Sequence, residues 1–245
     1  MARSILILKT GSTFPALKSR IGDFEDWIRE GLNRAGTGLP VEVFDPHGMA
    51  SFPPADTFAG IVITGSHAMV TDREPWSERS AEWLRQVANA GIPVLGICYG
   101  HQLLAHAFGG TVAYHPHGIE IGTVTVRLCP DASHDPLFNG LPPFFPAQTV
   151  HSQSATVLPE GAVLLAENDY EPHHAFRLGR NIWGTQFHPE FSEAAMHGSI
   201  DGLSEHLARN GIDVVALQQG VRATKNAADL LPRFAVIARD FSSSR

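Results

Sequence analysis

Two short stretches of the chain carry residue types suited to covalent chemistry. The first is Gly96-Ile97-Cys98-Tyr99-Gly100, a thiol between two glycines. It follows the apolar run 93–97 and precedes residues 101–108, whose spacing predicts a helix. A sharp strand-to-helix turn crowds the backbone of its central residue, and glycines two before and two after relieve that crowding. The side chain then projects from the carboxyl end of the strand, over a helix N-terminus whose unpaired N–H groups and dipole favour a thiolate. The backbone N–H of Tyr99 is placed to bind an oxyanion. The competing reading is a structural thiol at a strand end, because free cysteine is among the most buried residue types. Cys129 takes that structural reading: it precedes Pro130 and has neither flanking glycines nor a base nearby in sequence.

A nucleophilic cysteine needs a base, most often histidine. The chain has 13 histidines, so position must choose among them. The segment Thr185-Gln186-Phe187-His188-Pro189-Glu190 follows a strand expected over 181–187. In extended backbone, residues two apart face the same side. Glu190 can therefore accept from one imidazole nitrogen of His188, fix its tautomer and stabilise the imidazolium, leaving the other nitrogen for the thiol. Gly65-Ser66, closing a third expected strand, offers a second oxyanion donor at the sheet edge where ligands bind in open α/β folds.

These groups require a scaffold, and the remaining sequence supplies one. Residues 4–8, 60–64 and 93–97 are short continuous apolar runs, as in strands buried on both faces of a parallel sheet. Residues 41–44 alternate and read as another strand. Between them, Phe24, Trp27, Ile28 and Leu32 fall at helical spacing, with Asp23 as N-cap and Gly36 as stop; 74–89 is a second helix, with Trp76 and Trp83 as core anchors. The first 110 residues thus alternate as an α/β fold with a mostly parallel sheet. Short strands at 122–128, 162–166 and 174–178 read as an antiparallel addition, and 181–187 as another strand. Helices are expected over 193–210 and 214–239, the second interrupted at Pro232, with residues 242–245 frayed.

Composition bounds the function. The length of 245 residues suits one large domain or two small ones, and 43% hydrophobic residues are enough to fill a core. A formal net charge of −7 carries no overall footprint for nucleic acid, and no run of eighteen apolar residues provides a membrane span. The N-terminal stretch 1–11 is too short in its apolar core for a signal peptide and reads as a first strand. Two cysteines are too few for a disulfide framework, which points to a reducing, cytoplasmic setting. His115, His117, His173 and His174 match no strong metal-ligand spacing and read as solvated loop histidines, so neither a metal nor another cofactor is expected.

The run Gly96-Ile97-Cys98-Tyr99-Gly100-His101-Gln102-Leu103-Leu104-Ala105, with Gly109-Gly110 after it and Gln186-Phe187-His188-Pro189-Glu190-Phe191 later, closely resembles the class I (triad) glutamine amidotransferases, in their stand-alone, GMP-synthase-like branch. The resemblance runs from the first strand to about Glu193. It implies a three-layer, flavodoxin-like α/β fold with a mostly parallel central sheet, added antiparallel strands and C-terminal helices. The chain would form a single domain over 1–245, with a core to about 205 and a helical addition over 206–245. It further implies Cys98 as nucleophile, His188 as base and acid, Glu190 as its orienter, and an oxyanion hole from Tyr99 with Gly65 or Ser66. Gln102, His151 and Ser152 would bind substrate. Two loops depart from the family pattern: Ser66-His67 stands where Gly-Pro is usual, and Ser152-Gln153 where Gly-Asp is common.

The implied activity is hydrolysis of the glutamine side-chain amide through a γ-glutamyl thioester. The ammonia would pass to an acceptor or a separate synthase subunit, since no ATP-binding synthase or Walker-type phosphate loop is present. The departures and the missing synthase motivate an alternative, a hydrolase or peptidase acting on a γ-glutamyl conjugate. A third reading is a non-enzymatic thiol sensor or chaperone, a branch that usually has His directly after its cysteine, where this chain has Tyr99.

Overall fold

A computed structural model describes residues 3–49 and 51–244. The chain opens with β1 (Ser4–Leu8), α1 (Pro15–Ile21), α2 (Phe24–Asn33), β2 (Val41–Phe44), β3 (Phe58–Ile63), α3 (Pro75–Asn89), β4 (Val94–Ile97) and α4 (Tyr99–Ala107). A strand-rich section follows: β5 (Thr111–Tyr114), β6 (Glu120–Leu128), β7 (Phe144–His151), β8 (Gln153–Val157), β9 (Ala162–Glu167), β10 (Ala175–Leu178) and β11 (Ile182–Thr185). Four helices end it: α5 (Glu193–Arg209), α6 (Val214–Gly220), α7 (Lys225–Ala228) and α8 (Leu230–Ser243).

Nine strands form one sheet in the order β2-β1-β3-β4-β11-β10-β9-β6-β7. The first five pair in parallel and the rest antiparallel. The continuous apolar runs are explained by burial on both faces. Ile5, Ile7, Val62 and Leu95 pack toward Ile28, Leu231, Phe234 and Ala238 of α2 and α8. Their alternating neighbours Leu6, Leu8, Ile61 and Val94 pack toward Trp83, Leu84, Leu103 and Leu104 of α3 and α4. Trp76 and Trp83 are buried, as their helical spacing predicts. Asp23 caps α2 in a capping box with Asp26 and also accepts from the Thr13 N–H at 2.8 Å.

The structure corrects several details. α1, β5, β7 and β8 were not legible in the sequence. β7 contains Pro146, which is tolerated because β7 is the outermost strand and pairs only with β6. The stretch 214–239 forms three helices, and the break precedes Pro232 instead of falling on it. Pro232 sits in the first turn of α8, where its missing N–H costs nothing. α8 runs to Ser243, so residues 242 and 243, expected to be frayed, are helical. Arg245, and Met1 and Ala2 of the N-terminal stretch, lie outside the described residues.

Four of the five parallel strands, β1, β3, β4 and β11, end at one edge of the sheet with loops that hold the candidate residues. Their following loops hold Thr10-Gly11, Gly65-Ser66, Cys98 and His188 respectively. The register Ile97↔Thr185 sets the thiol and imidazole loops side by side. The β6–β7 hairpin reaches back to this edge, where Gln148 O accepts from the His188 N–H at 2.8 Å.

Candidate active site

Cys98 occupies φ 50°, ψ −99°; apart from Arg73, no other described non-glycine residue has positive φ. Such a conformation costs on the order of 1–3 kcal/mol and persists only where its surroundings impose it. Here they do. A Cβ on Gly96 would lie 2.4 Å from Gly100 O, and one on Gly100 would lie 2.8 Å from both Cβ and O of Ile63. The glycine spacing therefore allows β4, α4 and β3 to meet at one point. The Cys98 N–H donates to Thr185 O at 2.8 Å and its carbonyl accepts from the Gln102 N–H at 3.1 Å, which fixes the corner at both ends.

His188 is buried, with its Nδ1 2.8 Å from Glu190 Oε1. Its ring stacks on Phe191 at a centroid distance of 4.1 Å. Burial alone would lower its pKa, but the charges of Glu190 and Cys98 outweigh burial and lift it to about 10. Nε2, on the side away from Glu190, has no hydrogen-bond partner, and the Cys98 Sγ–H is turned toward Val150 O at 3.6 Å. A Cβ on Gly65 would lie 3.1 Å from His188 Cε1 and 3.9 Å from Cys98 Cβ, so imidazole and thiol flank the same small volume. Contacts of this kind are often loose before substrate arrives.

The Gly65 carbonyl accepts from Thr10 Oγ1 at 3.2 Å and from Thr64 Oγ1 at 2.9 Å. In a trans peptide the next N–H points the opposite way. The two hydroxyls thus aim the Ser66 N–H, and neither it nor the Tyr99 N–H donates to another group among the described residues. Both are free to hold an oxyanion. Gly11 permits the approach of this loop, since a Cβ there would lie 2.7 Å from Ser66 Cα. The sequence does not mark this role of Thr10 and Gly11, because it depends on a neighbouring loop.

A cavity of about 280 Å³ opens beside Cys98, lined by Ser66, Tyr99, Gln102, His151, Ser152 and Gln153 among others. All three residues implied as substrate contacts are therefore brought to it. Gln102 Nε2 donates to Gln153 O at 2.7 Å and to Gln186 Oε1 at 3.0 Å, which ties α4 to the turn between β7 and β8. His151 Nε2 lies 2.9 Å from Glu120 Oε2, and its Nδ1 lies 2.9 Å from Gln153 O.

Behind that turn lies a buried polar network the sequence did not reveal. His174 is fully buried, with its Nε2 3.3 Å from the same Glu120 oxygen; His115 is buried and stacks on Tyr170 at 4.3 Å. The expectation that these two are solvated is overturned, because folding back of the β6–β10 section encloses them with carboxylates. Burial would raise the pKa of Glu120, but its bonds with His151 and His174 hold the carboxyl well below the usual range. No group of His, Cys, Asp and Glu among the described residues has the arrangement to hold a metal ion.

Glu171, in the same network, is pushed up to about 7 by burial. An unfolded chain ionises this group at about 4.3. As pH rises from there to 7 the unfolded state releases its proton first, so stability falls, by at most about 4 kcal/mol, and then levels off. Glu171→Gln should therefore melt at a higher temperature relative to wild type at pH 8 than at pH 4.5. A gap that is the same at both pH values would contradict this assignment.

The family model for class-I glutamine amidotransferases matches residues 21–200. Among curated relatives, GMP synthase [glutamine-hydrolyzing] of Thermosipho africanus is 35% identical over 144 residues, covering 58% of this chain and 26% of that protein. The chain thus spans about a quarter of the length of that relative. Gamma-glutamyl-L-1-hydroxyisopropylamide hydrolase of a Pseudomonas species is 31% identical over 166 residues, 64% of this chain and 56% of that protein. The crystal structure of a glutamine amidotransferase from Thermotoga maritima superposes with a TM-score of 0.76 at 21% identity, covering 96% of this chain and 97% of that one, which establishes the shared fold.

Proposed function

The chain belongs to the class-I glutamine amidotransferase family, and from that premise we propose that it is an amide hydrolase in which Cys98, His188 and Glu190 act as a triad on a γ-glutamyl side-chain amide. Cys98 Sγ attacks the amide carbon while the proton it has given up rests on His188 Nε2. The carbonyl oxygen becomes an oxyanion held by the N–H groups of Tyr99 and Ser66. The C–N bond then breaks, its electron pair goes to nitrogen, and His188 protonates the departing amine. Water, deprotonated by His188, attacks the thioester; the C–S bond breaks and glutamate is released.

The observation that carries this reading is a buried imidazole bonded to a carboxylate through Nδ1, with its Nε2 unpartnered and a thiol on a strained corner beside it. With glutamine as substrate, the product amine is ammonia. Delivery to a separate synthase subunit is supported by the similarity to GMP synthase [glutamine-hydrolyzing]. The test is ammonia release from glutamine by purified protein, together with labelling of Cys98 by a glutamine-mimicking electrophile read by mass spectrometry. Equal turnover by wild type and Cys98→Ala would refute the mechanism. A synthase partner predicts stimulation of turnover by cell extract.

A second reading, hydrolysis of a γ-glutamyl conjugate, is favoured by one observation. A second hollow lies on the His188 side of Cys98, where a product of only one nitrogen atom needs no room. The similarity to the Pseudomonas γ-glutamyl amide hydrolase points the same way.

A further inference from the structure

Cys98, Ser66, His67, Val150 and Leu203 border two hollows at once. The larger contains Gln102 and the 151–153 turn. The smaller, about 60 Å³, is lined on its far side by Phe14, Phe24, His188, Phe191 and Ser199. A cavity needs roughly 10–15 Å³ to hold one water, so this one takes about four non-hydrogen atoms. Its walls are mainly aromatic and aliphatic, with Thr13, Ser66 and His67 adding polar groups at its border. Ser199 Oγ is spent on Ala195 O at 2.9 Å, and the rings of Phe24 and Phe191 stack 6.1 Å apart. Among buried side-chain atoms of these residues, His188 Nε2 alone lacks a partner.

The chemistry proposed above fixes what would enter. The carbonyl oxygen must face the Tyr99 and Ser66 N–H groups, and the amide nitrogen must face His188 Nε2 to be protonated. A substituent on that nitrogen therefore continues past His188. We propose that the hollow is a leaving-group subsite and that the preferred substrates are γ-glutamyl amides of short aliphatic primary amines. This inference rests on the triad reading and adds the substrate class. Hydrolysis of such an amide gives glutamate and R–NH₂, water supplying the oxygen and the proton balance. The roof sets the length limit. α5 lies so close that a Cβ on Gly202 would stand 2.6 Å from the Phe14 ring and one on Gly198 would stand 2.4 Å from Leu17. A chain beyond three or four carbons meets this roof.

The experiment compares kcat/KM of the full chain for glutamine, the γ-glutamyl methyl-, ethyl-, propyl- and hexylamides, and γ-glutamylglycine. Each buried methylene is worth about fourfold. The propylamide is expected to exceed glutamine by at least tenfold, with hexylamide falling back and γ-glutamylglycine poor because its carboxylate would enter an aromatic pocket. Ser199→Leu, which fills the hollow, should lower the propylamide-to-glutamine ratio at least tenfold. Phe14→Ala, which enlarges it, should move the optimum to longer chains. Glutamine equal to or better than every alkylamide, a preference for γ-glutamylglycine, or ratios unmoved in both variants would overturn the subsite while leaving the triad reading standing. No turnover of any γ-glutamyl amide would overturn both.

Discussion

Cys98→Gly should be more stable than Cys98→Ala by about 1 kcal/mol or more, and both should be inactive. The backbone explains the difference. At φ 50°, ψ −99° any residue with a Cβ is strained, whereas glycine is not. Alanine keeps the Cβ and the strain, so it isolates loss of sulfur; glycine removes both. Part of the gain is offset because glycine also frees the unfolded chain. For a chain of this size, 1 kcal/mol corresponds to about 2–4 °C in melting temperature. The wild-type chain thus holds its proposed nucleophile at a cost in stability, and a glycine variant that melts no higher than the alanine variant would show that the corner is unstrained.

On the proposed mechanism His188→Ala should reduce kcat by about a thousandfold or more, because the same imidazole holds the thiol proton, protonates the leaving amine and activates water. Glu190→Gln should cost less in rate, since Glu190 touches only the imidazole, at 2.8 Å. Its distinguishing effect is on pH dependence. Against the cost of burial, Glu190 and Cys98 raise His188 to about 10. Removing the Glu190 charge lowers that pKa, so the alkaline limb of the kcat profile should move to lower pH. Stability follows the same sign. A histidine whose folded pKa exceeds its unfolded value of about 6.5 stabilises fully below the latter and loses that contribution as pH climbs toward the former. Wild-type stability should decline between pH 6.5 and 10 more steeply than that of Glu190→Gln. An unmoved alkaline limb together with parallel stability curves would show that Glu190 does not govern His188.

The corner at Cys98 was legible because its requirements are local: glycines at fixed offsets, an apolar run before and a helical pattern after. The pairing of His188 with Glu190 was legible for the same reason, residues two apart on extended chain. Their approach to Cys98 was not, since it depends on β11 inserting beside β4, a register that no local pattern states. Thr10 and Gly11 escaped notice because their work is done against Thr64 and Ser66. Gly198 and Gly202 look like weak points in a helix when read alone, and only contact with Leu17 and the Phe14 ring explains them. His115 and His174 carry no mark of burial. Their enclosure with Glu120 and Glu171 follows from the long return of the chain through β6–β10. β7 was hidden by Pro146, which an outermost strand accommodates.

The place of β11 has a consequence for synthesis. This strand lies in the interior of the sheet, between β4 and β10, yet is the last of the described strands in chain order. A ribosome that has delivered residues 1–170 has exposed the thiol but none of the imidazole, carboxylate or roof that act on it. Half-made chains should therefore be chemically silent, with competence arriving in one step as the final strand slots home. Stalled chains ending near residue 170 that react with a glutamine-mimicking electrophile as fast as finished protein would contradict that order of assembly.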